Sequence, residues 1–229
     1  MKPYPDDMVF SLIDLTLLDD AADATALAQL AARATTHHVA AICVLPQHLS
    51  QTPICPSIRR ATVVNFPTGQ DDPKQVMHAL DVLLIRTDVD EIDYVFCTQA
   101  YLSGQTQSAL AQYRQVSQRC QQAGKALKVI LETGYFTDLK QLYRLSREIL
   151  EFECDFLKTS TGKMTEGATQ PAVKKLLEAI RDADRPCGIK VSGGVHTLDQ
   201  AYHFMQLAET ELERTLDASW FRLGSSRLV

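Results

Sequence analysis

Three lysines stand inside short apolar runs of the sequence, where lysine is uncommon. Lys158 lies in DFLKTSTGK, Lys190 in GIKVSG and Lys128 in LKVILE. Burying an ammonium group is costly unless a partner compensates or the amine gives up its proton. Two ammonium groups in one pocket disfavour each other's charged forms, so one of them becomes a free amine near neutral pH. A free amine attacks carbonyl carbons. The resulting Schiff base withdraws electrons, so a neighbouring carbon–carbon bond can break.

Eight short β-like runs are available to position these lysines. They lie near residues 12–16, 40–45, 61–66, 91–96, 127–132, 155–160, 188–193 and 220–224. Most are separated by segments with helical periodicity, and Asp72, Asp138 and Thr169 are each placed to begin a helix. The link PQHLSQTPICPSIRR is too short and too interrupted by proline for a full helix. Repeated β–α units predict a (β/α)8 TIM barrel.

A doubly wound parallel sheet is the alternative fold. Its usual nucleotide fingerprint, G-x-G-x-x-G after the first strand, is absent, and TSTGKM lacks both the upstream glycine and the final Ser/Thr of a P-loop. The sequence therefore favours the barrel and gives no sign of a nucleotide site.

Side-chain alternation indicates that the lysines point into the barrel. In LKVILE and GIKVSG one face is wholly apolar and the opposite face carries the lysine. EIDYVF places Asp93 in the same way, whereas DFLKTS is less regular because Phe156 shares the face of Lys158. Helices cover the outside of such a barrel, so the charged face is expected inside. Lys128, Lys158, Lys190 and Asp93 should therefore converge, and Asp93 can move protons directly or through water.

Two glycine-containing segments predict an anion site. SGGVHTLDQ follows the seventh run and combines Gly193 and Gly194 with a capping box that opens a helix, while RLGSS follows the eighth. Backbone N–H groups at a helix start bind anions, and the loops after strands seven and eight are the usual phosphate site of these barrels. A phosphorylated substrate is therefore predicted, with Gly162 and Lys163 placed to close the site from the side.

Composition and charge narrow the classes of partner. With 45% hydrophobic residues and no linker-like stretch, residues 1–229 are expected to form one domain. The net charge of −5, without a Lys/Arg cluster, argues against nucleic acid or an anionic membrane. No signal-peptide or membrane-span pattern is present, so a cytoplasmic protein is expected. The six cysteines lack a Cys-x-x-Cys pair and the histidines lack a ligand cluster, so no disulfide framework, metal or cofactor is expected.

Eight blocks of the sequence resemble, in order, the deoxyribose-phosphate aldolase family: IDLTLL, AAICVLP, ATVVNFPTG, DEIDYVF, LKVILETG, DFLKTSTGK, GIKVSGGVHT and FRLGSS. Members of that family are class I aldolases that cleave 2-deoxy-D-ribose 5-phosphate to acetaldehyde and D-glyceraldehyde 3-phosphate. The resemblance implies that Lys158 forms the Schiff base, that Lys190 lowers its pKa, and that Asp93 acts as acid and base through water. It also implies a homodimer, which is common in the family.

The resemblance further implies a substrate pocket. Phosphate would be held by Gly162, Lys163, Gly193, Gly194, Gly224 and Ser226, and the rest of the pocket would be lined by Asp14, Thr16, Cys43, Asn65, Lys128 and Thr161. Val191, His196 and Arg227 replace the proline, arginine and serine of many relatives, which leaves phosphate affinity and selectivity open. The printed sequence ends at Val229, so a barrel without a closing helix, and without the tail that ends in tyrosine in some relatives, is expected.

Two other functions stay open. One is a class I aldolase for a different phosphorylated or unphosphorylated aldehyde acceptor. The other is an inactive barrel with a binding or assembly role. Lys158, Lys190 and Asp93 argue against inactivity, because a non-catalytic barrel has no reason to bear the desolvation of these groups.

Overall fold

Eight parallel strands close into a barrel, which confirms the predicted TIM-barrel fold. The computed structural model describes residues 3–183 and 185–229. The strands pair in chain order, and the last pairs with the first. They are β1 (Ile13–Leu17), β2 (Ala41–Val44), β3 (Arg59–Val64), β4 (Glu91–Val95), β5 (Ala126–Ile130), β6 (Phe156–Lys158), β7 (Gly188–Ser192) and β8 (Phe221–Ser225).

Helices cover the outside of the barrel. They are α1 (Asp6–Phe10), α2 (Ala24–His37), α3 (Pro73–Leu84), α4 (Thr98–Leu102), α5 (Thr106–Gln122), α6 (Leu139–Ile149), α7 (Gln170–Arg181) and α8 (Leu198–Leu212). Only a 3-10 helix, Pro46–Gln51, lies between β2 and β3, as the prolines of that link predict. Residues 226–229, after β8, form no helix. In the part of the chain that the structure describes, no helix is long and apolar enough to cross a membrane.

The predicted helix starts are confirmed by their hydrogen bonds. The side chains of Asp72, Asp138 and Thr169 accept hydrogen bonds from backbone N–H groups in the first turns of α3, α6 and α7. Such a cap satisfies one of the donors that a helix leaves free at its start. The apolar faces of these helices pack on the outer face of the strands, where Leu127 and Ile189 are fully or almost fully buried.

Two predicted strands, 61–66 and 127–132, end earlier in the structure because residues near their carboxyl ends adopt left-handed backbone conformations. β3 ends at Val64, since Asn65 has a φ of 59°. β5 ends at Ile130, and Glu132 has a φ of 48°. A residue with positive φ cannot extend a β-ladder, and outside glycine this conformation is uncommon. Both residues lie at the carboxyl ends of their strands, the end of the barrel where active sites form.

Candidate active site

Seven charged side chains form a continuous network inside the barrel. Each is at most 3% exposed. They come from six strands and are Asp14, Glu91, Asp93, Lys128, Lys158, Lys190 and Arg222. The strand register sets Asp93 beside Lys128 and Lys158 beside Lys190. The structure thus brings together the four residues that alternation places on the inner face, and adds three more.

Asp93 lies at the centre of this network. Its Oδ1 accepts a hydrogen bond from Lys128 Nζ at 2.9 Å, and its Oδ2 accepts from Lys158 Nζ at 2.6 Å and Lys190 Nζ at 2.7 Å. Burial alone would raise the pKa of Asp93, but the three ammonium groups hold it well below its usual range. Asp93 therefore remains ionised and fixes the lysines in one place.

Lys158 and Lys190 share Asp93 but differ in their other partners. Burial lowers the pKa of Lys158, Asp93 opposes this shift, and the positive charge of Lys190 adds to it. Burial also acts to lower the pKa of Lys190, but Asp14 and Asp93 together raise it above its usual value. Asp14 Oδ2 lies 2.5 Å from Lys190 Nζ. The second carboxylate favours the charged form of Lys190, so Lys158 is the lysine of the pair whose proton is more easily lost.

The balance of charge supports the same assignment. The network holds four cationic groups, Lys128, Lys158, Lys190 and Arg222, against the three carboxylates of Asp14, Glu91 and Asp93. Arg222 pairs with Asp14 at 2.6 Å and with Glu91 at 3.3 Å, and Lys128 also contacts Glu91. Uncompensated charge is costly in a buried site. Loss of one proton from Lys158 leaves these seven groups with no net charge.

A pocket of about 600 Å³ opens above Lys158 at the carboxyl ends of the strands. Lys158 is the member of the charged network that lines it. Eight further predicted site residues lie around this pocket, namely Thr16, Thr161, Gly162, Lys163, Gly193, Gly194, Gly224 and Ser226. His196 and Arg227, two of the positions that differ from many relatives, also lie there and are exposed. A pocket of about 800 Å³ at the opposite end of the barrel is lined by Glu91 and Arg222 but by none of the three network lysines.

The walls of the pocket suit an anion. Gly193 and Gly194 have φ values of 80° and 86°, in the left-handed region that favours glycine. The capping box predicted before α8 is present between Thr197 and Gln200. Lys163 also lines the pocket, and its Nζ donates a hydrogen bond to the carbonyl of Leu18 at 2.7 Å. A phosphate group in this pocket would meet backbone dipoles and an ammonium group.

Four predicted pocket residues do not line the pocket. Asp14 and Lys128 belong to the charged network beneath it, and Cys43 is fully buried beside that network. Asn65 serves its own loop, because its amide donates to the carbonyl of Val95 at 2.9 Å and accepts from the backbone N–H of Asp71 at 3.0 Å. Asn65 lies at a strand end, as expected, but its side-chain hydrogen bonds hold the backbone of the surrounding loops.

Position 224, in the wall of the pocket, also leaves little space for a side chain. A Cβ atom at this position would lie 2.2 Å from Ser192 Oγ and 3.2 Å from Cε of Lys190. A contact of 2.2 Å does not occur, so a larger residue at position 224 would force the Ser192 side chain to move. Any phosphate contact of Gly224 comes in addition to this role.

Glu91, Arg222 and Glu132 are parts of the site that the sequence analysis did not select. Glu91 lies two residues before Asp93, so alternation places both on the same face. Arg222 stands in the block FRLGSS and points inward, where its guanidinium also lies 5.5 Å from the ring centre of Phe156. Alternation places both residues on the inner face. A single charge at a strand end is usually solvated, however, and does not by itself indicate a functional site.

Glu132 connects β5 to the loop that follows β6. It is 2% exposed, and its Oε2 accepts hydrogen bonds from Thr161 N at 3.1 Å and Thr161 Oγ1 at 2.5 Å. Thr161 Oγ1 in turn accepts from Lys163 N at 3.2 Å. Burial raises the pKa of Glu132, although the Thr161 hydrogen bonds and Lys158 oppose the shift. Glu132 therefore fixes the turn that presents Thr161 and Lys163 to the pocket.

Residues 3–183 and 185–229 contain no group of three or more His, Cys, Asp or Glu side chains placed to hold a metal ion. Lys158 supplies one amino group to the pocket and Lys163 supplies a second.

Comparison with known proteins relates this arrangement to aldolases. Residues 8–219 match a family model described as DeoC/LacD family aldolase. The deoxyribose-phosphate aldolase of Agrobacterium fabrum is 36% identical over 97% of this chain and 88% of that protein. Among solved structures, the tetrameric deoxyribose phosphate aldolase of Aeropyrum pernix superimposes with a TM-score of 0.78 at 22% identity, covering 98% of this chain and 89% of that one. The latter shows a shared fold.

Proposed function

Because the chain belongs to the DeoC/LacD family of aldolases, we propose that it cleaves 2-deoxy-D-ribose 5-phosphate to acetaldehyde and D-glyceraldehyde 3-phosphate through a Schiff base on Lys158. The observation that carries the proposal is the position of Lys158. It is the one network amine that lines the pocket, its pKa is lowered, and anion-binding groups surround the same pocket.

The first step is the attack of the Lys158 amine on the aldehyde carbon of the open-chain sugar. The carbinolamine that forms loses water and leaves a protonated imine. Asp93, which accepts a hydrogen bond from Lys158, offsets the positive charge of the imine. Lys190 keeps its own proton throughout, so it does not compete as a nucleophile.

Bond cleavage follows because the iminium accepts electrons. The hydroxyl proton on C3 is removed, the C2–C3 bond breaks, and its electron pair forms an enamine with the iminium carbon. D-Glyceraldehyde 3-phosphate leaves from C3. Protonation of the enamine at C2 and hydrolysis of the imine release acetaldehyde and restore Lys158.

Asp93 is the proposed proton carrier in these steps, acting through water. Three lysines hold its pKa low, so it passes a proton on rather than keeping it. Hydrogen bonds from three lysines to this one carboxylate also hold Asp93 within reach of the reacting amine.

Trapping with borohydride tests the proposal. The protein is incubated with 2-deoxy-D-ribose 5-phosphate or acetaldehyde, reduced, digested and analysed by mass spectrometry, while a coupled assay measures glyceraldehyde 3-phosphate. We expect turnover and an adduct on Lys158. An adduct mainly on Lys128 or Lys190 would contradict the nucleophile, and an adduct on Lys158 without turnover of this sugar would indicate an aldolase for another substrate.

The assembly state is a separate proposal. A homodimer is supported by the resemblance alone, and sedimentation equilibrium on the purified protein tests it.

A further inference from the structure

Ser192 has a buried hydroxyl group without a partner at the wall of the pocket. It is the last residue of β7, is 5% exposed and lines the pocket. Its Oγ forms no hydrogen bond with any residue that the structure describes. A buried hydroxyl without a partner is unfavourable, and most such groups in proteins are satisfied. This hydroxyl is therefore available for a group that enters the pocket.

The backbone of Ser192 is fixed on one side by Thr159. The Thr159 hydroxyl accepts a hydrogen bond from Ser192 N at 2.9 Å and donates to Ser192 O at 2.9 Å. On the other side, Gly224 leaves the space that the Ser192 hydroxyl occupies, since a Cβ there would lie 2.2 Å from Oγ. The hydroxyl is thus held in place by its neighbours but forms no hydrogen bond with them.

The strand register sets the height of Ser192 in the pocket. Lys190 pairs with Lys158, and Ser192 follows Lys190 by two residues on the same inner face. Its Cα therefore lies about 6.6 Å further along the strand, toward the carboxyl end of the barrel. Gly193 and Gly194, which form the anion-binding turn, come next. Along the chain, Ser192 thus lies between Lys190, which pairs with Lys158, and the glycines of the proposed phosphate site.

We propose that Ser192 Oγ hydrogen-bonds the substrate hydroxyl that lies between the reacting carbons and the phosphate. The inference rests on the proposed function. In 2-deoxyribose 5-phosphate, C1 joins Lys158, C3 is the carbon where cleavage occurs, and C5 carries the phosphate. The hydroxyl on C4 is the one that reaches the level of Ser192. The same group is the C2 hydroxyl of D-glyceraldehyde 3-phosphate in the reverse reaction.

The reverse reaction offers a direct test. Acetaldehyde is added to D-glyceraldehyde 3-phosphate or to 3-oxopropyl phosphate, which keeps the aldehyde and phosphate but lacks the hydroxyl. In Ser192→Ala, kcat/KM for the first acceptor should fall by about tenfold, and that for the second should change by less than about twofold. Borohydride trapping of acetaldehyde on Lys158 should be unchanged, which shows that the variant keeps an intact lysine network.

Ser160→Ala is the matched control. Ser160 Oγ is also buried without a partner among the described residues, but Ser160 does not line the pocket, so the ratio between the two acceptors should match that of the wild type. An equal loss for both acceptors in Ser192→Ala, or no loss for either, would overturn the inference while leaving the aldolase reaction in place. A wild-type protein that traps acetaldehyde but adds it to neither acceptor would overturn the proposed function, and this inference with it.

Discussion

Lys158 and Lys190 donate hydrogen bonds to the same carboxylate oxygen, Asp93 Oδ2, at 2.6 and 2.7 Å. Two ammonium groups that share one oxygen repel each other, and only one of these two lysines has a second counter-ion. Lys190 has Asp14 as a second counter-ion, whereas Lys158 contacts Asp93 alone among the carboxylates of the network. The asymmetry makes Lys158 the more acidic of the two, which supports its proposed role as the reacting amine.

Replacement of Lys190 by leucine should raise the pKa of Lys158. The positive charge of Lys190 lowers that pKa, and Asp93, which raises it, would no longer be shared. Because only the free amine attacks the aldehyde, the acidic limb of kcat/KM should move to higher pH. Turnover at neutral pH should fall and recover in part in alkaline buffer. The measurement is the pH profile of retro-aldol turnover, together with cyanoborohydride trapping of acetaldehyde.

Lys190→Arg is the control for this experiment, since it keeps the charge and should keep the acidic limb closer to that of the wild type. Wild-type turnover at neutral pH in Lys190→Leu would show that the second ammonium group does not tune Lys158.

Asp93→Asn should separate imine formation from proton transfer. Asp93 raises the pKa of Lys158, so removal of its charge should shift imine trapping to lower pH. The overall turnover should nevertheless fall by roughly a hundredfold or more, since a positioned acid–base group contributes about 10² to 10⁴ in rate. Trapping yield and kcat, measured on the same samples across pH, give both quantities. Retention of wild-type kcat would contradict the proposed role of Asp93, and thermal unfolding reports whether the variant is folded.

The sequence predicts the convergence of the lysines because alternation along a strand is a local property. Once eight strands form a closed barrel, the register brings inward residues of neighbouring strands together, as with Lys158 and Lys190. The direction of the pKa shift at each lysine, by contrast, is set by residues that are distant in the sequence. This direction depends on Asp14, from the first strand, which contacts Lys190 and not Lys158. The spacing of residues in the sequence does not reveal that pairing. The resemblance to a family, rather than alternation, singled out Lys158 in advance.

The strand ends at Asn65 and Glu132, which have left-handed backbone conformations, were also not predicted from the sequence. Asn65 and Glu132 lie in runs that read as strand, yet each leaves the ladder with positive φ. Both side chains form hydrogen bonds with other segments, Asn65 with the carbonyl of Val95 and Glu132 with Thr161. Such contacts between segments distant in the sequence are not visible in a local residue pattern.

Glu132→Ala should weaken substrate binding more than it slows chemistry. The substitution removes the acceptor of both Thr161 hydrogen bonds, so the turn that presents Lys163 loses its support. We expect KM for 2-deoxyribose 5-phosphate to rise by about tenfold, with a smaller change in kcat, because a buried group left unpaired costs about 1 to 3 kcal/mol. Glu132→Gln keeps an oxygen that can accept both bonds and should stay near the wild type. If glutamine and alanine cause equal losses, the negative charge rather than the hydrogen bonds is what matters.

The wild-type protein should prefer 2-deoxyribose 5-phosphate to 2-deoxyribose, because the glycine turn and Lys163 line the pocket on two sides. Charge-assisted hydrogen bonds contribute on the order of 1.5 to 3 kcal/mol each, so the loss of two should lower kcat/KM by roughly a hundredfold or more for the unphosphorylated sugar.

Lys163→Ala should reduce that preference by lowering kcat/KM for the phosphorylated sugar while leaving the value for 2-deoxyribose nearly unchanged. Lys174→Ala is the matched control, since Lys174 is an exposed lysine on α7 that pairs with Glu211 at 2.9 Å and does not line the pocket. Steady-state kinetics of both sugars with the three proteins decides the matter. Similar kcat/KM values for the two sugars in the wild type would mean that the glycine segments are ordinary turns, and an aldolase for a different acceptor would then be the better description.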